Sequence, residues 1–456
     1  MRGGSRAKAL NCAINGLAIA RPDFSAQQVF TPRQKHFLLG LLTLIALIGV
    51  LRPHDVLTAS VAIVSVGFVV SIAARSLLIL LAQPKQIKLA AVEDGDLPVY
   101  SVLVPLYREA EILPQLSAAI QALDYPRDKL DVLLVLEESD KETLASARHL
   151  PFSVVVVPEA LPRTKPKAAN FAAQFARGEF LVIFDAEDRP EPDQLRKAVA
   201  AFRANPEIAC FQAHLTIDRT HNWLQCLFAL DYGIWFNALL PGLERLHAPI
   251  PLGGTSNHFR AEVLKATGLW DPFNVTEDAD LGIRLARLGH RVGVLPSQTF
   301  EEAPKALDVW LRQRTRWIKG HMQTLLVHSR HPIRLLHDAG WHGCLWIVLF
   351  LGGGVWSALV NPMMWAFFLS SLLAGEQMTS ALSQFAGISG VSLLVLNALL
   401  AVYGVLERKS CRSLVAAFAY PFFWLMISLA CYRALYQLIL DPFRWEKTPH
   451  GSGSAT

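Results

Sequence analysis

Paired cysteines, histidine clusters and dense basic runs are what this sequence lacks, and each absence narrows what the chain can be. Its six cysteines, Cys12, Cys210, Cys226, Cys344, Cys411 and Cys431, are scattered along 456 residues without a CxxC pair. No histidine cluster has the spacing of a zinc site. Both observations speak against a disulfide framework or a structural zinc, and a reducing compartment suits the chain. The net charge of +5 is spread without a dense Lys/Arg run, so no nucleic-acid partner is expected. Positive excess of this kind suits a cytoplasmic membrane face or an anionic substrate. No signal-peptide pattern opens the chain, because the first long apolar run begins only after Lys35. There is no internal repeat, and only the stretch from Gly451 onward is low in complexity.

What the sequence has in excess is apolar residues, 52 % against roughly 45–50 % for soluble domains, gathered toward both ends. Residues 1–35, with Arg2, Arg6, Lys8, Arg21, Arg33 and Lys35, read as a basic cytoplasmic arm. Residues 36–82 form two apolar runs split by Arg52-Pro53-His54-Asp55, each approaching the roughly 20 residues that span a bilayer. They predict a transmembrane hairpin, with the arm before it and Lys85 and Lys88 after it holding both ends inside. After Pro304 an amphipathic, basic stretch predicts a helix at the membrane interface, ending near residue 331. Residues 341–407 predict further transmembrane helices, with 375–389 external because they hold no Lys or Arg. Pro421, Arg433 and Gln437 interrupt 413–440, which reads as an interfacial or re-entrant helix that keeps the tail, 441–456, inside. The expectation is an integral protein of the inner (plasma) membrane, with residues 97–331 in the cytoplasm.

Between the apolar ends the pattern changes. Val99-Tyr100-Ser101-Val102-Leu103-Val104-Pro105 is a buried-strand pattern followed by a helical one. Residues 131–136, 152–157 and 180–184 predict further strands, with a helix over 167–177. Strands alternating with helices predict an α/β domain with a mostly parallel sheet covered on both faces. Ligands of such sheets sit at the carboxyl ends of the strands. Glu137-Glu138 and Asp185-Ala186-Glu187-Asp188 fall there.

Several short stretches carry chemistry. Asp185-Ala186-Glu187-Asp188 offers oxygen ligands to a hard divalent cation such as Mg²⁺ or Mn²⁺, although acidic loops are more often solvated turns. Lys165-Pro166-Lys167 opens a helix, where phosphate can bind and where lysine is also ordinary. Thr276-Glu277-Asp278 begins another helix and reads equally well as a capping device. Gly253-Gly254-Thr255-Ser256-Asn257 is small enough for a substrate to approach closely, or for a plain turn. Gln313-Arg314-Thr315-Arg316-Trp317 brings a guanidinium that grips phosphate and an indole that stacks on a sugar ring. A carboxylate near both can take a proton from a sugar hydroxyl. Together these residues point to sugar transfer from a phosphate leaving group at a membrane.

In combination and order they resemble the family-2 glycosyltransferases of GT-A fold, in particular the membrane-embedded cellulose, chitin and hyaluronan synthases. The resemblance covers 99–317, with the nucleotide-diphospho-sugar transferase domain inserted between transmembrane α-helices. Val104-Pro105-Leu106-Tyr107-Arg108-Glu109 is similar to the family's opening strand and nucleotide loop. Lys165 to Asn170 resembles its K-x-x-x-x-N element, Asp185 to Asp188 its D-x-D, Thr276 to Asp278 its T-E-D, and Gln313 to Trp317 its Q-x-x-R-W. The resemblance implies that Tyr107, Glu109 and Glu138 line the pocket for the uridine base of a UDP-sugar and that Lys165 holds the nucleotide. It implies Asp185 and Glu187 as metal ligands and Asp278 as the base, with Glu277 beside it. Gln313, Arg316 and Trp317 would bind the diphosphate and the acceptor's terminal sugar. Attack with inversion would elongate a β-linked polysaccharide, with product exported through the helices or with a partner subunit; glucose, N-acetylglucosamine and mannose donors all stay open, glucose being preferred only on the resemblance to glucan synthases. Lys447-Thr448-Pro449-His450-Gly451 resembles the family's gating loop. The chain departs from the pattern where the usual aspartates are Glu138 and Glu187, so Glu137 against Glu138, and Glu187 against Asp188, stay open. Two rivals stand beside this reading: a single addition of sugar to a polyprenyl phosphate or other lipid, and a non-catalytic receptor or assembly protein. Intact Asp185, Asp278 and Arg316 argue against the last.

Overall fold

A computed structural model of the chain describes residues 3–82, 89–373, 381–408 and 411–446. The strands are β1 (Tyr100–Leu106), β2 (Leu130–Glu137), β3 (Ser153–Val157), β4 (Phe180–Ile183), β5 (Arg189–Pro190), β6 (Ile208–Ile217), β7 (Asn257–Arg260) and β8 (Arg291–Glu301). They form one sheet in the order β3-β2-β1-β4-β7-β6-β8-β5. β3, β2, β1 and β4 are parallel, as the sequence predicts, with Val102 in register with Val132 and Val182. The other half is mixed: β7 runs antiparallel between β4 and β6, and β8 is parallel to β6. Expecting a mostly parallel sheet missed this because β7 is only Asn-His-Phe-Arg and β8 is interrupted by Gly293 and Pro296.

Alternation along β1 builds two cores, since successive side chains leave opposite faces of a strand. Val102 and Val104 join Leu116, Ile120 and Phe202 on one face, while Leu103 joins Phe171, Leu281 and Leu285 on the other. Three helices precede the sheet: α1 (Gly3–Ala20), α2 (Pro32–Leu51) and α3 (Pro53–Leu81). Within the domain lie α4 (Leu113–Gln121), α5 (Lys141–Ala147), α6 (Lys165–Ala173), α7 (Gln194–Ala204), α8 (Trp223–Ile234), α9 (Leu240–Arg245), α10 (Ala261–Ala266) and α11 (Glu277–Arg287). After β8 come α12 (Leu307–His328), α13 (Pro332–Ile347), α14 (Gly353–Leu373), α15 (Ala381–Arg408) and α16 (Cys411–Leu440).

Among the described residues five helical stretches are long and apolar enough to cross a membrane, including Trp223–Arg245, which the sequence reading left inside the domain. No residue of α2 is buried although it is almost wholly apolar, the character of a helix that faces lipid. The basic arm, described from residue 3, is helical over Gly3–Ala20. α1 packs on α6 through Asn170, which donates to the Ala13 carbonyl at 3.0 Å. α6 begins at Lys165, two residues before the expected start, because Thr164 caps it and Pro166 suits a first turn. α15 begins at Ala381, inside the stretch expected as an external loop. The 413–440 segment is one unbroken helix, α16, despite Pro421. It lies alongside α12 in the same direction: Trp310 meets Phe423, and Lys319 donates to Gln437 at 3.2 Å. Residues 441–446 therefore return against the transferase half, where Gln323 donates to the Pro442 carbonyl at 2.9 Å. The gating-loop-like residues 447–451 lie outside the described residues.

Domain and apolar helices meet at α9 and α3. A side-chain carbon at Gly242 would stand 2.5 Å from the Leu78 carbonyl oxygen and 2.9 Å from Leu78 Cα, both unyielding backbone. Gly242→Ala is therefore expected to cost about 1–3 kcal/mol by overpacking, read as a lower midpoint of thermal unfolding in detergent.

Candidate active site

The site gathers at the carboxyl ends of β1, β2 and β4. Asp185 follows β4, and the turn after it is held from within by Asp188. That side chain is 1 % exposed. It accepts hydrogen bonds from the Thr255 hydroxyl and, at 2.7 Å, from the Asp185 backbone N–H. Asp188 thus shapes the loop, leaving Asp185 and Glu187 half-buried at its rim. Glu301, at the end of β8, joins them; no motif in the sequence singled it out. Burial, then repulsion from Glu187 and Asp185, pushes the Glu301 carboxyl up to about 8. Burial and the carboxylates of Glu301, Asp185 and Glu187 likewise raise Asp188. Such a cluster repels itself and favours an incoming cation.

Lys165, in the first turn of α6, supplies part of that charge. Its Nζ donates to Asp185 Oδ1 and, at 2.7 Å, to the Gly254 carbonyl. Burial opposes its charge, but Asp185, Glu277 and Asp278 outweigh this and raise its pKa. Lys167 turns the other way, into a buried pair with Glu137 at 2.9 Å. Glu137 is thereby committed to the interior, and Glu138 is exposed at the strand end. Asn170 of the K-x-x-x-x-N element also faces inward, bonded to Trp270 and Ala13. Tyr107 and Glu109 line a cleft of about 680 Å³ with Arg108, Asp140 and Arg163. Arg108 holds a left-handed φ of 55°, with its N–H donating to Asp140 at 2.5 Å.

Asp278 stands across from Lys165. A carbon added at Gly254, whose carbonyl Lys165 bonds, would lie 3.2 Å from Asp278 Oδ2. Burial raises Asp278, and burial together with Asp278's charge pushes Glu277 up to about 7. Helix α12 is latched to this turn. Its Gln323 accepts the Val275 N–H at 3.0 Å, and its Thr324 accepts from Asn274 at 3.0 Å. Gly320 lets the backbones close up, since a side-chain carbon there would meet Thr276 Oγ1 at 2.1 Å.

One turn before Gly320, α12 presents Gln313, Arg316 and Trp317. Gln313 Oε1 and Arg316 Nε are buried without a hydrogen-bond partner. Trp317 stacks on Tyr232 at 6.0 Å and lies under the Arg314 guanidinium at 4.8 Å, so part of its ring is already committed. Tyr232 donates to Glu301 at 3.1 Å and so ties the aromatic group to the acidic one. Arg314 pairs with Asp231 at 2.6 Å. Tyr232 and Glu301 are the participants that motif reading missed. Their only signal was the apolar stretch 223–245 and a strand ending in acid.

No group of three or more His, Cys, Asp or Glu side chains with metal-site geometry occurs among the described residues. Asp185 and Glu187 nevertheless fit a hard divalent ion. Mg²⁺ typically takes one or two carboxylates and completes its shell with phosphate oxygens and water. The buried, partnerless Asp188 Oδ1 behind them adds to the negative field.

A mixed sheet with carboxylates and a lysine at its strand ends, and an arginine–tryptophan helix across the cleft, defines a GT-A nucleotide-sugar transferase domain. Residues 98–320 match the family model described as "Glycosyltransferase like family 2", and this segment is a family-2 glycosyltransferase domain. Over 239 residues the chain is 26 % identical to the "Probable glycosyltransferase YdaM" of Bacillus subtilis, covering 51 % of this chain and 57 % of that protein. Over 240 residues it is 28 % identical to the "Probable glucomannan 4-beta-mannosyltransferase 10" of Arabidopsis thaliana, covering 49 % and 43 %. The chain thus spans about half the length of these curated relatives. The fold is similar to that of the mannosyltransferase PcManGT of Pyrobaculum calidifontis, solved with GDP-Man and Mn²⁺. The TM-score is 0.56 at 21 % identity, over 84 % of this chain and 99 % of that one.

Two outcomes follow from the geometry. Gly320→Ala is expected to lower kcat by up to about 100-fold through displacement of the Thr276–Asp278 turn, measured with donor KM in parallel. A carboxylate base works ionised, so kcat should fall with falling pH along a limb above the ordinary carboxylate value of about 4. Glu277→Gln removes a neighbouring negative charge and should move that limb to lower pH.

Proposed function

We propose that this protein is an inverting, divalent-metal-dependent membrane glycosyltransferase that moves a hexose from a nucleoside diphosphate sugar onto a growing β-linked polysaccharide. The observation that carries the proposal is the position of Lys165 between two acidic groups. It bonds Asp185 directly and also bonds the carbonyl of Gly254, which neighbours Asp278. The leaving diphosphate and the attacking hydroxyl must stand on opposite sides of one anomeric carbon, and these two groups are suitably placed to serve them.

In this reading Tyr107, Glu109 and Glu138 receive the base and Lys165 the phosphates. Asp185 and Glu187 hold Mg²⁺ or Mn²⁺, which when bound offsets the charge of the departing diphosphate. Asp278 takes the acceptor hydroxyl proton as the oxygen attacks. Arg316 and Gln313 bring unused polar atoms toward the diphosphate and acceptor sugar, and Trp317 gives the sugar an apolar edge. The catalytic domain is assigned to the cytoplasmic side of the plasma membrane, where nucleotide sugars are made, with the apolar helices as the way out for product.

UDP-glucose is the donor implied by the likeness to glucan synthases, and GDP-mannose is the sugar nucleotide bound in PcManGT. Both present the diphosphate-hexose chemistry that this site suits. The polysaccharide acceptor is favoured by the likeness to the Arabidopsis protein named a probable glucomannan mannosyltransferase.

The test uses inverted membrane vesicles with Mg²⁺ or Mn²⁺ and each donor in turn, assaying nucleoside diphosphate release and product size. High-molecular-weight product, with a loss of about 10²–10⁴-fold in Asp278→Asn, is expected. A single-sugar, lipid-extractable product would replace the polymer reading with the lipid-acceptor one. Absence of turnover with every donor would overturn the enzyme assignment.

A further inference from the structure

The machinery above uses residues within 98–324. The residues ahead of α2 have no part in it, yet they are built into the domain. α1 lies along α6, where Gln174 donates to the Ala9 carbonyl at 2.9 Å and Arg6 to the Val156 carbonyl at 2.7 Å. Residues 22–26 then meet the back of α11, the helix whose first turn carries Glu277 and Asp278. The Ala26 N–H donates to Asp271 Oδ2 at 2.5 Å, and the Ser25 hydroxyl to Oδ1 at 3.2 Å. The same Asp271 Oδ1 accepts the Phe273 N–H at 3.1 Å, five residues before Asp278. Phe24 is 2 % exposed. Its ring lies 5.8 Å from that of His328 and 4.6 Å from the Arg287 guanidinium. Arg330 donates to the Pro22 carbonyl at 3.1 Å, and Arg334 pairs with Asp23 at 2.8 Å.

What this plug covers is charged. Asp280 and Arg284 are fully buried and stand 3.4 Å apart. His328 Nε2 lies 3.0 Å from Asp280 Oδ1, and Arg287 pairs with Asp338 at 2.7 Å. Asp280 Oδ2 and Arg284 Nε and NH2 have no hydrogen-bond partner. A buried ionic stripe stabilises poorly, because desolvation offsets the attraction and an apolar stripe of like volume often does as well. Its attested use is to specify register, since an apolar helix face can slide and a charged one cannot. Here the helix so registered carries the base two residues before Asp280.

We propose that residues 22–26 are a positioning element for the reaction: by closing the charged stripe behind α11 they hold Asp278 at its station opposite Lys165. The proposal rests on Asp278 being the base, as argued above. It gives the segment ahead of the membrane helices a part in turnover, without any contact of its own with substrate.

The test uses the full chain in detergent with Phe24→Ala and Phe24→Tyr. Initial rates, donor affinity by calorimetry and hydrogen exchange of the amides of residues 276–280 are measured. Phe24→Ala is expected to lower kcat about tenfold, a fraction of what full misplacement costs. Donor affinity should stay unchanged and exchange at Asp280 should quicken, while Phe24→Tyr keeps wild-type values. Should Phe24→Ala fail to fold, Ser25→Ala removes one hydrogen bond and is expected to lower kcat about threefold with the same unchanged donor affinity. Unaltered kcat and exchange, with only a lower unfolding midpoint, would overturn the positioning role. So would an equal loss of donor affinity. A fully active Asp278→Asn enzyme would instead overturn the base assignment, a failure distinguishable from the first.

Discussion

Like charges crowded at one sheet edge are the constraint on which this structure turns. Asp185, Glu187, Asp188 and Glu301 meet on one side of the cleft and Glu277 and Asp278 on the other, and Lys165 acts on both sides. No fold places six carboxylates so closely without cost. Burial and then repulsion between carboxylates raise the pKa of Asp188, Glu277 and Glu301, and burial raises that of Asp278. A site strained in this way gains most when a divalent ion and a diphosphate arrive together, the ion relieving the carboxylates and Lys165 meeting the phosphates.

The same constraint explains the second layer. Carboxylates that are not to drift must be held by groups that do not titrate nearby. Asp188 is held by Thr255 and a backbone N–H, Glu137 is taken out of the cleft by Lys167, and the turn before Asp278 is hung from Gln323 and Thr324. Helix α12 therefore has two tasks. One face carries Arg316 and Trp317, and its later turns fix the Asp278-bearing turn through Gly320 and Gln323.

Much of this was legible from residue order, and the limits have physical causes. The parallel half of the sheet and the acidic strand ends could be read because β-branched runs followed by Asp or Glu leave few other interpretations. Motif order could place Lys165, Asp185, Asp278 and Arg316 in one domain. Between Glu187 and Asp188, or Glu137 and Glu138, sequence was silent. The difference is which side chain points inward, a property of the pleat and of partners 30 and 67 residues away, Lys167 and Thr255. Tyr232 and Glu301 escaped because neither lies in a motif; they matter only through a contact made across 69 residues. The order of the arm could not be read, because a basic composition says nothing of the carbonyls and aromatic ring it brings to the domain.

Helix α16 bears on how such a domain can work beside a bilayer. Lying along α12 rather than departing from it, it brings residues 441–446 back to the cleft. Lys319 donates to the Arg444 carbonyl at 2.6 Å, Phe443 approaches Phe273, and Trp445 lies 5.8 Å from the Arg316 guanidinium. The turn that carries Asp278, the arginine proposed for the diphosphate and the segment after the last helix thus share one set of contacts. A movement of any of them must be felt by the others, because packed interfaces shift between discrete arrangements rather than stretching. The apolar helix α16 therefore does more than pack against its apolar neighbours: with α12 it forms one wall of the site.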